Sequence, residues 1–157
     1  MNSIILVRHG QSLWNQQRRF TGWADIDLTK KGQEEAEYAA KLIEKLNFEF
    51  DTCFTSVQKR AINTLKIILS VLKKKDVKIN QVWQLNERHY GALTGLNKDE
   101  MIKKHGNKQV HIWRRSFDTP PPPMNSESPY HPNKNKNYVN IPSDKIPSSE
   151  SLKNTFD

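Results

Sequence analysis

Cysteine is nearly absent from this 157-residue chain. Cys53 stands alone, which excludes an internal disulfide and fits a reducing compartment. Glycine is scarce, with six residues and none after Gly106. Proline is missing until Pro120, so nothing before it breaks a helix or strand; all eight prolines lie between Pro120 and Pro147. No apolar run approaches the length of a membrane span. The N-terminus lacks the charged region and long apolar core of a secretory signal. Acidic residues are outnumbered, 17 against 25 Lys and Arg, for a net charge of +8. That excess favours anionic partners: phosphorylated metabolites, nucleic acid or an acidic surface. Length and these absences together lead us to expect one soluble, cytoplasmic domain.

Within the proline-free part, apolar residues alternate between two periods. Ile4-Ile5-Leu6-Val7 is apolar on both faces and β-branched, as in a strand inside a parallel sheet. Leu28 to Leu46 reads as a helix capped by Thr29. Ala36, Ala39, Ala40, Ile43 and Leu46 form its apolar face, with Glu34, Glu37, Lys41 and Glu44 opposite. Asp51 to Thr55 predicts a second strand. Ser56 is then expected to cap a helix with the stripe Ala61, Leu65, Ile68, Leu69 and Leu72. Lys78 to Leu85 predicts a third strand, and Lys98 to Lys104 and Lys108 to Phe117 two shorter helices. This alternation predicts an α/β fold, a three-layer sandwich with a mostly parallel central sheet flanked by helices. Ligands of such sheets bind beyond the carboxyl ends of the strands. Arg8-His9 and Thr55 to Arg60 both follow predicted strand ends, so they are expected to meet in space.

Beyond Phe117 the composition changes. Residues 118–148 are rich in Pro, Asn and Ser and read either as an ordered lid or as a flexible segment, with composition favouring flexibility. The expected division is therefore 1–117 as the N-terminal part of a catalytic domain, 118–148 as lid, and 149–157 as the start of a helix. Ser149 is its expected cap, and Leu152 and Phe156 share a face.

Four stretches carry candidate chemistry. In "LVRHGQS", a neutral imidazole at His9 can attack phosphorus and hold a phosphoryl group. Arg8 would offer a guanidinium fork to its oxygens, and Gly10 lets the backbone approach an anion. A bare Arg-His-Gly is equally compatible with a histidine that ends a strand by chance. In "TSVQKRAINT", Arg60 lies in a helical first turn, whose free N–H groups favour anions. In "LNERHYGALTGLNK", Glu87 is the only carboxylate and could shuttle a proton. Arg114-Arg115 could clamp a carboxylate or phosphate, or simply suit a helix C-terminus.

Taken together, "LVRHGQSLWN", "FTGWADIDLTKKG", "TSVQKRAINT", "LNERHYGALTGLNK" and "WRRSFDTPPPP" resemble the bisphosphoglycerate-dependent phosphoglycerate mutases of the histidine phosphatase superfamily. The resemblance implies that His9 is a phosphohistidine nucleophile, that Arg8 and Arg60 hold the transferring group, and that Glu87 is the general acid and base. It implies substrate binding by Asn15, Thr21, Gly22, Arg88, Tyr90, Lys98, Arg114 and Arg115. It further implies interconversion of 3-phosphoglycerate and 2-phosphoglycerate in glycolysis and gluconeogenesis, primed by 2,3-bisphosphoglycerate and needing no metal. The expected partner is a small anionic phosphorylated substrate, not nucleic acid or membrane; the resemblance also allows a homo-oligomer.

Two features depart from the family pattern. Gln11 stands where glutamate is usual, and the family's late "HGN" element, with its second catalytic histidine, does not occur in this sequence. The expectation is a chain that lacks the C-terminal third of the family's length, with impaired activity. Rival readings are a bisphosphoglycerate phosphatase or other histidine phosphatase, and a non-catalytic polyanion-binding fragment. The last calls for aromatic residues interleaved with a basic stripe, whereas Trp14, Trp23, Trp83 and Trp113 are scattered.

Overall fold

The computed structural model describes residues 4–156; Met1 to Ser3 and Asp157, the ends of the first and last expected units, lie outside them. A short helix α1 (Leu13–Gln16) is closed by a capping box between Ser12 and Asn15. Helix α2 (Lys30–Lys45) starts as its sequence predicts, with the Thr29 hydroxyl accepting the Gly32 N–H at 3.1 Å. Its buried face is Gly32, Ala36, Ala40 and Ile43. Those small side chains let it lie against α3 (Lys59–Val71), which buries Arg60, Thr64, Ile68 and Leu69.

Strand β1 (Thr52–Thr55) pairs in parallel with β2 (Lys78–Gln81), in register from Thr52 opposite Lys78 to Thr55 opposite Gln81. Helix α3 makes the crossover between them. The fold is thus α/β, a parallel sheet flanked by helices. Both strands point their carboxyl ends the same way. One delivers Arg60 and the other, after a 3-10 turn at Trp83–Leu85, delivers Glu87. Downstream, α4 (Lys98–His105) is capped by Asn97 and meets α5 (Asn107–Arg115) at Gly106. The φ of +81° at Gly106 suits glycine. Phe20, Leu93, Met101 and Val110 form the core beneath these two helices.

Four sequence expectations need correction. Ile4 to Val7 adopts no strand; Ile4 and Leu6 are 80% and 85% exposed, and of this run Ile5 packs on the α2–α3 cluster. Strand propensity is realised only where a ladder and two covered faces exist, and the described residues give this run neither. The third strand ends at Gln81 rather than Leu85, because Val82 to Leu85 turns away. Helix α3 is not capped by Ser56. Gln58 is its N-cap, without a side-chain cap bond, and its side chain is engaged elsewhere. The terminal helix α6 (Leu152–Phe156) starts from Ser151, whose hydroxyl accepts the Asn154 N–H at 3.3 Å, not from Ser149.

Residues 118–148 favour flexibility by composition, yet the structure packs them. They form 3-10 turns at Pro132–Lys134, Lys136–Tyr138 and Ser143–Lys145. Tyr138 and Ile141 bury against Trp23, and the Tyr138 hydroxyl donates to the Trp23 carbonyl at 2.7 Å. Burial pushes that phenol up to about 12. Among the described residues, no helix is long and apolar enough to cross a membrane.

Candidate active site

Arg60 is fully buried and organises the site. Its Nη1 donates to the Ala24 carbonyl at 2.9 Å. Its Nη2 shares two protons among the Gly22 carbonyl at 2.8 Å, Gln58 Oε1 at 2.7 Å and Glu87 Oε2 at 3.0 Å. Its Nε faces His9 Nε2 at 3.3 Å. A buried guanidinium needs acceptors on every edge, and these residues supply them. Burial still pulls its pKa down, opposed mainly by Glu87.

The proton on His9 is located by its two neighbours. Nδ1 lies 2.7 Å from the Gly10 carbonyl, which can only accept, so Nδ1 carries the hydrogen. Nε2 faces an arginine N–H, which can only donate, so Nε2 presents its lone pair. Burial holds the imidazole below its usual pKa; the Gly10 bond opposes this and the Arg60 charge reinforces it. His9 is therefore neutral near pH 7, with Nε2 turned to the Arg60 edge of the site.

Backbone packing around Gly10 sets this geometry. The Gly10 N–H donates to Thr64 Oγ1 at 3.1 Å, and that hydroxyl donates to the Arg60 carbonyl at 2.7 Å. A Cβ on Gly10 would sit 2.0 Å from the Gly32 carbonyl oxygen, and one on Gly32 would sit 2.1 Å from the Gln11 carbonyl oxygen. Only paired glycines allow this contact. Gly22 (φ +55°) comes similarly close, its missing Cβ 3.0 Å from the Tyr90 nitrogen. That apposition joins the 20–24 loop to the Glu87–Tyr90 loop.

The other predicted positions divide. The Thr21 hydroxyl and Arg114 Nε are buried without a protein partner. Lys98 is half-buried beside Phe20; burial depresses its pKa first, then the Arg114 charge, with Glu87 opposing. Such cations and an unpartnered hydroxyl fit a small anion. Asn15 spends its Oδ1 on the α1 cap, and Arg115 is exposed. Arg8 is exposed and makes no hydrogen bond or ion pair among the described residues. Arg88 is buried and spends its guanidinium on the Trp113, Arg114 and Glu150 carbonyls while lying over Tyr90. The sequence reading missed Gln58, Thr64 and Glu150. Gln58 and Thr64 both lie inside the quoted "TSVQKRAINT", two residues before Arg60 and four after it, whereas Glu150 lies in none of the quoted stretches.

This is an α/β scaffold with a histidine and an arginine converging past its strand ends. The chain matches the histidine phosphatase superfamily (branch 1) over residues 4–133 and belongs to it. It is 51% identical, over all of its 157 residues, to a 2,3-bisphosphoglycerate-dependent phosphoglycerate mutase of Maricaulis maris (strain MCS10), of which it spans 65%. Among solved structures it is similar to Bacillus stearothermophilus YhfR, at 33% identity and a TM-score of 0.58, over 68% of this chain and 50% of that one. It also resembles a phosphoglycerate mutase from Bacillus anthracis str. Sterne, at 26% identity and a TM-score of 0.57, over 68% and 48%.

Proposed function

We propose that this chain handles phosphoryl groups on His9 and carries the phosphohistidine half of a phosphoglycerate mutase reaction. The observation that carries the reading is the His9–Arg60–Glu87 array: a neutral imidazole whose Nε2 lone pair lies 3.3 Å from Arg60 Nε, with Glu87 on the same guanidinium at 3.0 Å. The Nε2 lone pair forms the N–P bond as the donor's P–O bond breaks, and Glu87 gives the leaving oxygen its proton. Arg60 then meets negative charge on the phosphoryl oxygens. Thr21, Tyr90, Lys98 and Arg114 would hold 2,3-bisphosphoglycerate, which supplies the phosphoryl group that loads His9. In the return step Glu87 takes the proton from the 2-hydroxyl of 3-phosphoglycerate as that oxygen accepts the phosphoryl group from His9, which gives 2,3-bisphosphoglycerate. Transfer of its 3-phosphoryl group back to His9, with Glu87 returning the proton to the 3-oxygen, leaves 2-phosphoglycerate.

Mutase chemistry over simple hydrolysis is supported by the 51% identity to a mutase. The test is to incubate the chain with 3-phosphoglycerate and catalytic 2,3-bisphosphoglycerate. Appearance of 2-phosphoglycerate supports the mutase reading. Release of inorganic phosphate without isomerisation replaces it with a phosphatase, and neither product rejects both.

A further inference from the structure

Glu150 lies 61 residues from His89, yet its backbone and its carboxylate are both tied to the His89 backbone. The Glu150 carboxylate accepts the His89 N–H at 2.7 Å, the Glu150 N–H donates to the His89 carbonyl at 3.0 Å, and the Glu150 carbonyl accepts Arg88 Nη1 at 2.8 Å. The neighbouring strands of chain close the same seam. Ser149 Oγ donates to the Pro121 carbonyl at 2.6 Å, and the Ala92 N–H donates to the Pro122 carbonyl at 2.8 Å. A Cβ on Gly91 would lie 2.1 Å from the Pro122 carbonyl oxygen, so the fit leaves no slack. Arg88 extends the tie to the carbonyls of Trp113 and Arg114, at the end of α5.

We infer that Glu150 is a positioning residue: its carboxylate latches the Glu87–Tyr90 loop, and through Arg88 the end of α5, in the geometry that lets Glu87 and Arg114 face a phosphorylated ligand. This inference rests on the phosphoryl-transfer reading for its functional consequence, though not for the latch itself. The Glu87 backbone N–H reaches Gln58 only at 3.4 Å, a long bond, so the segment after Glu87 is fixed by the Glu150 and Arg88 contacts. The latch carboxylate is held above its usual pKa, chiefly by burial, with the His89 N–H and Arg88 opposing. A displacement of about 1 Å in a catalytic group can cost on the order of a hundredfold in rate.

The test uses the 157-residue chain with Glu150→Ala and Glu150→Gln. Glutamine keeps one acceptor for the His89 N–H, and alanine keeps none. With 2,3-bisphosphoglycerate as donor, E150A should load His9 about ten- to a hundredfold more slowly at saturating donor, while E150Q stays within about threefold of the parent. Equal loading by E150A and the parent overturns the inference, as does equal impairment of both variants. If the parent itself takes up no phosphate, the phosphoryl-transfer reading fails. The latch is then read by amide hydrogen exchange, which should quicken at least about tenfold at His89 and Gly91 in E150A and not in E150Q. Unchanged exchange overturns it. Should the variants not fold, the parent still decides. Its His89 amide proton must shift in step with the Glu150 side-chain carboxyl carbon, whose midpoint lies above the usual glutamate range, and a His89 amide shift that does not track the Glu150 carboxyl signal contradicts the latch.

Discussion

Two stretches flank His9 and are built oppositely. On one side, Arg60 is 0% exposed and has acceptors on each edge, while Thr64 and Gly32 lock Gly10 from below. On the other, Ile4 to Val7 leads straight into Arg8-His9 and forms no ladder, with Leu6 85% exposed. Were His9 aimed by the run before it, its ring would be free to wander with that run. Instead both ring nitrogens are fixed by residues that follow it, Gly10 and Arg60. The His9 ring is thus positioned from its C-terminal side, by the α2–α3 packing, and the apolar run ahead of it contributes little to the aim in this chain.

That contrast can be broken from either side. The largest effect should come from Arg60→Ala, which strands Glu87 beside the Gly22 and Ala24 carbonyls. Loading of His9 should fall about 10²–10³-fold, and denaturant unfolding should show a loss of about 3–5 kcal/mol. A smaller loss would mean that Arg60 does not hold the buried side together.

Next is a pH effect from the same buried side. His89 is fully buried and its pKa is pushed down from 6.5 to about 4 by burial. Between those values the unfolded chain binds the proton and the folded chain does not. Stability is therefore fully present above 6.5 and declines as pH falls toward 4, by about 3 kcal/mol in all. Urea midpoints measured across that window should slope accordingly. His89→Asn, which keeps an acceptor for the Gly91 N–H, should flatten the slope.

Gly32→Ala should cost about 2–3 kcal/mol, because its Cβ would meet the Gln11 carbonyl. It should also release the His9 ring, seen as a rise of the His9 pKa toward the ordinary imidazole value in an NMR titration. The smallest effect is expected at the exposed run. Leu6→Ser should change thermal stability by less than about 0.5 kcal/mol. A cost near that of Gly32→Ala would show that the run is packed and erase the contrast.

Helices α2 and α4 were legible because their signals are local, whereas the starts of α3 and α6 were not, Gln58 and Ser151 standing where Ser56 and Ser149 were expected. Thr29 and Asn97 cap where capping residues should, and the Ala36-Ala40-Ile43 spacing marks the buried face of α2. The run Ile4 to Val7 was misread for the opposite reason: a strand needs a partner, and residue type cannot supply one. Composition left the Pro/Asn/Ser-rich stretch open between an ordered lid and a flexible segment, because it does not encode that Tyr138 and Ile141 find Trp23 more than a hundred residues away. In the site, short motifs led to His9, Arg60 and Glu87. Gln58, Thr64 and Glu150 gave no such sign. Each acts by bonding to a distant backbone or guanidinium group, and neither period nor motif encodes that. Arg88 shows the converse, a charge that looks like a ligand-binding group and is spent on three carbonyls.

The most direct test of the account is which nitrogen of His9 receives phosphate. The chain is treated with 2,3-bisphosphoglycerate, and the histidine is examined by nitrogen and phosphorus NMR, with His9→Asn as control. Because Nδ1 holds its proton against the Gly10 carbonyl and Nε2 faces Arg60, the account predicts one phosphoryl group per chain, on Nε2 of His9, absent from the control. Phosphate on Nδ1, on another residue, or on neither nitrogen would contradict it.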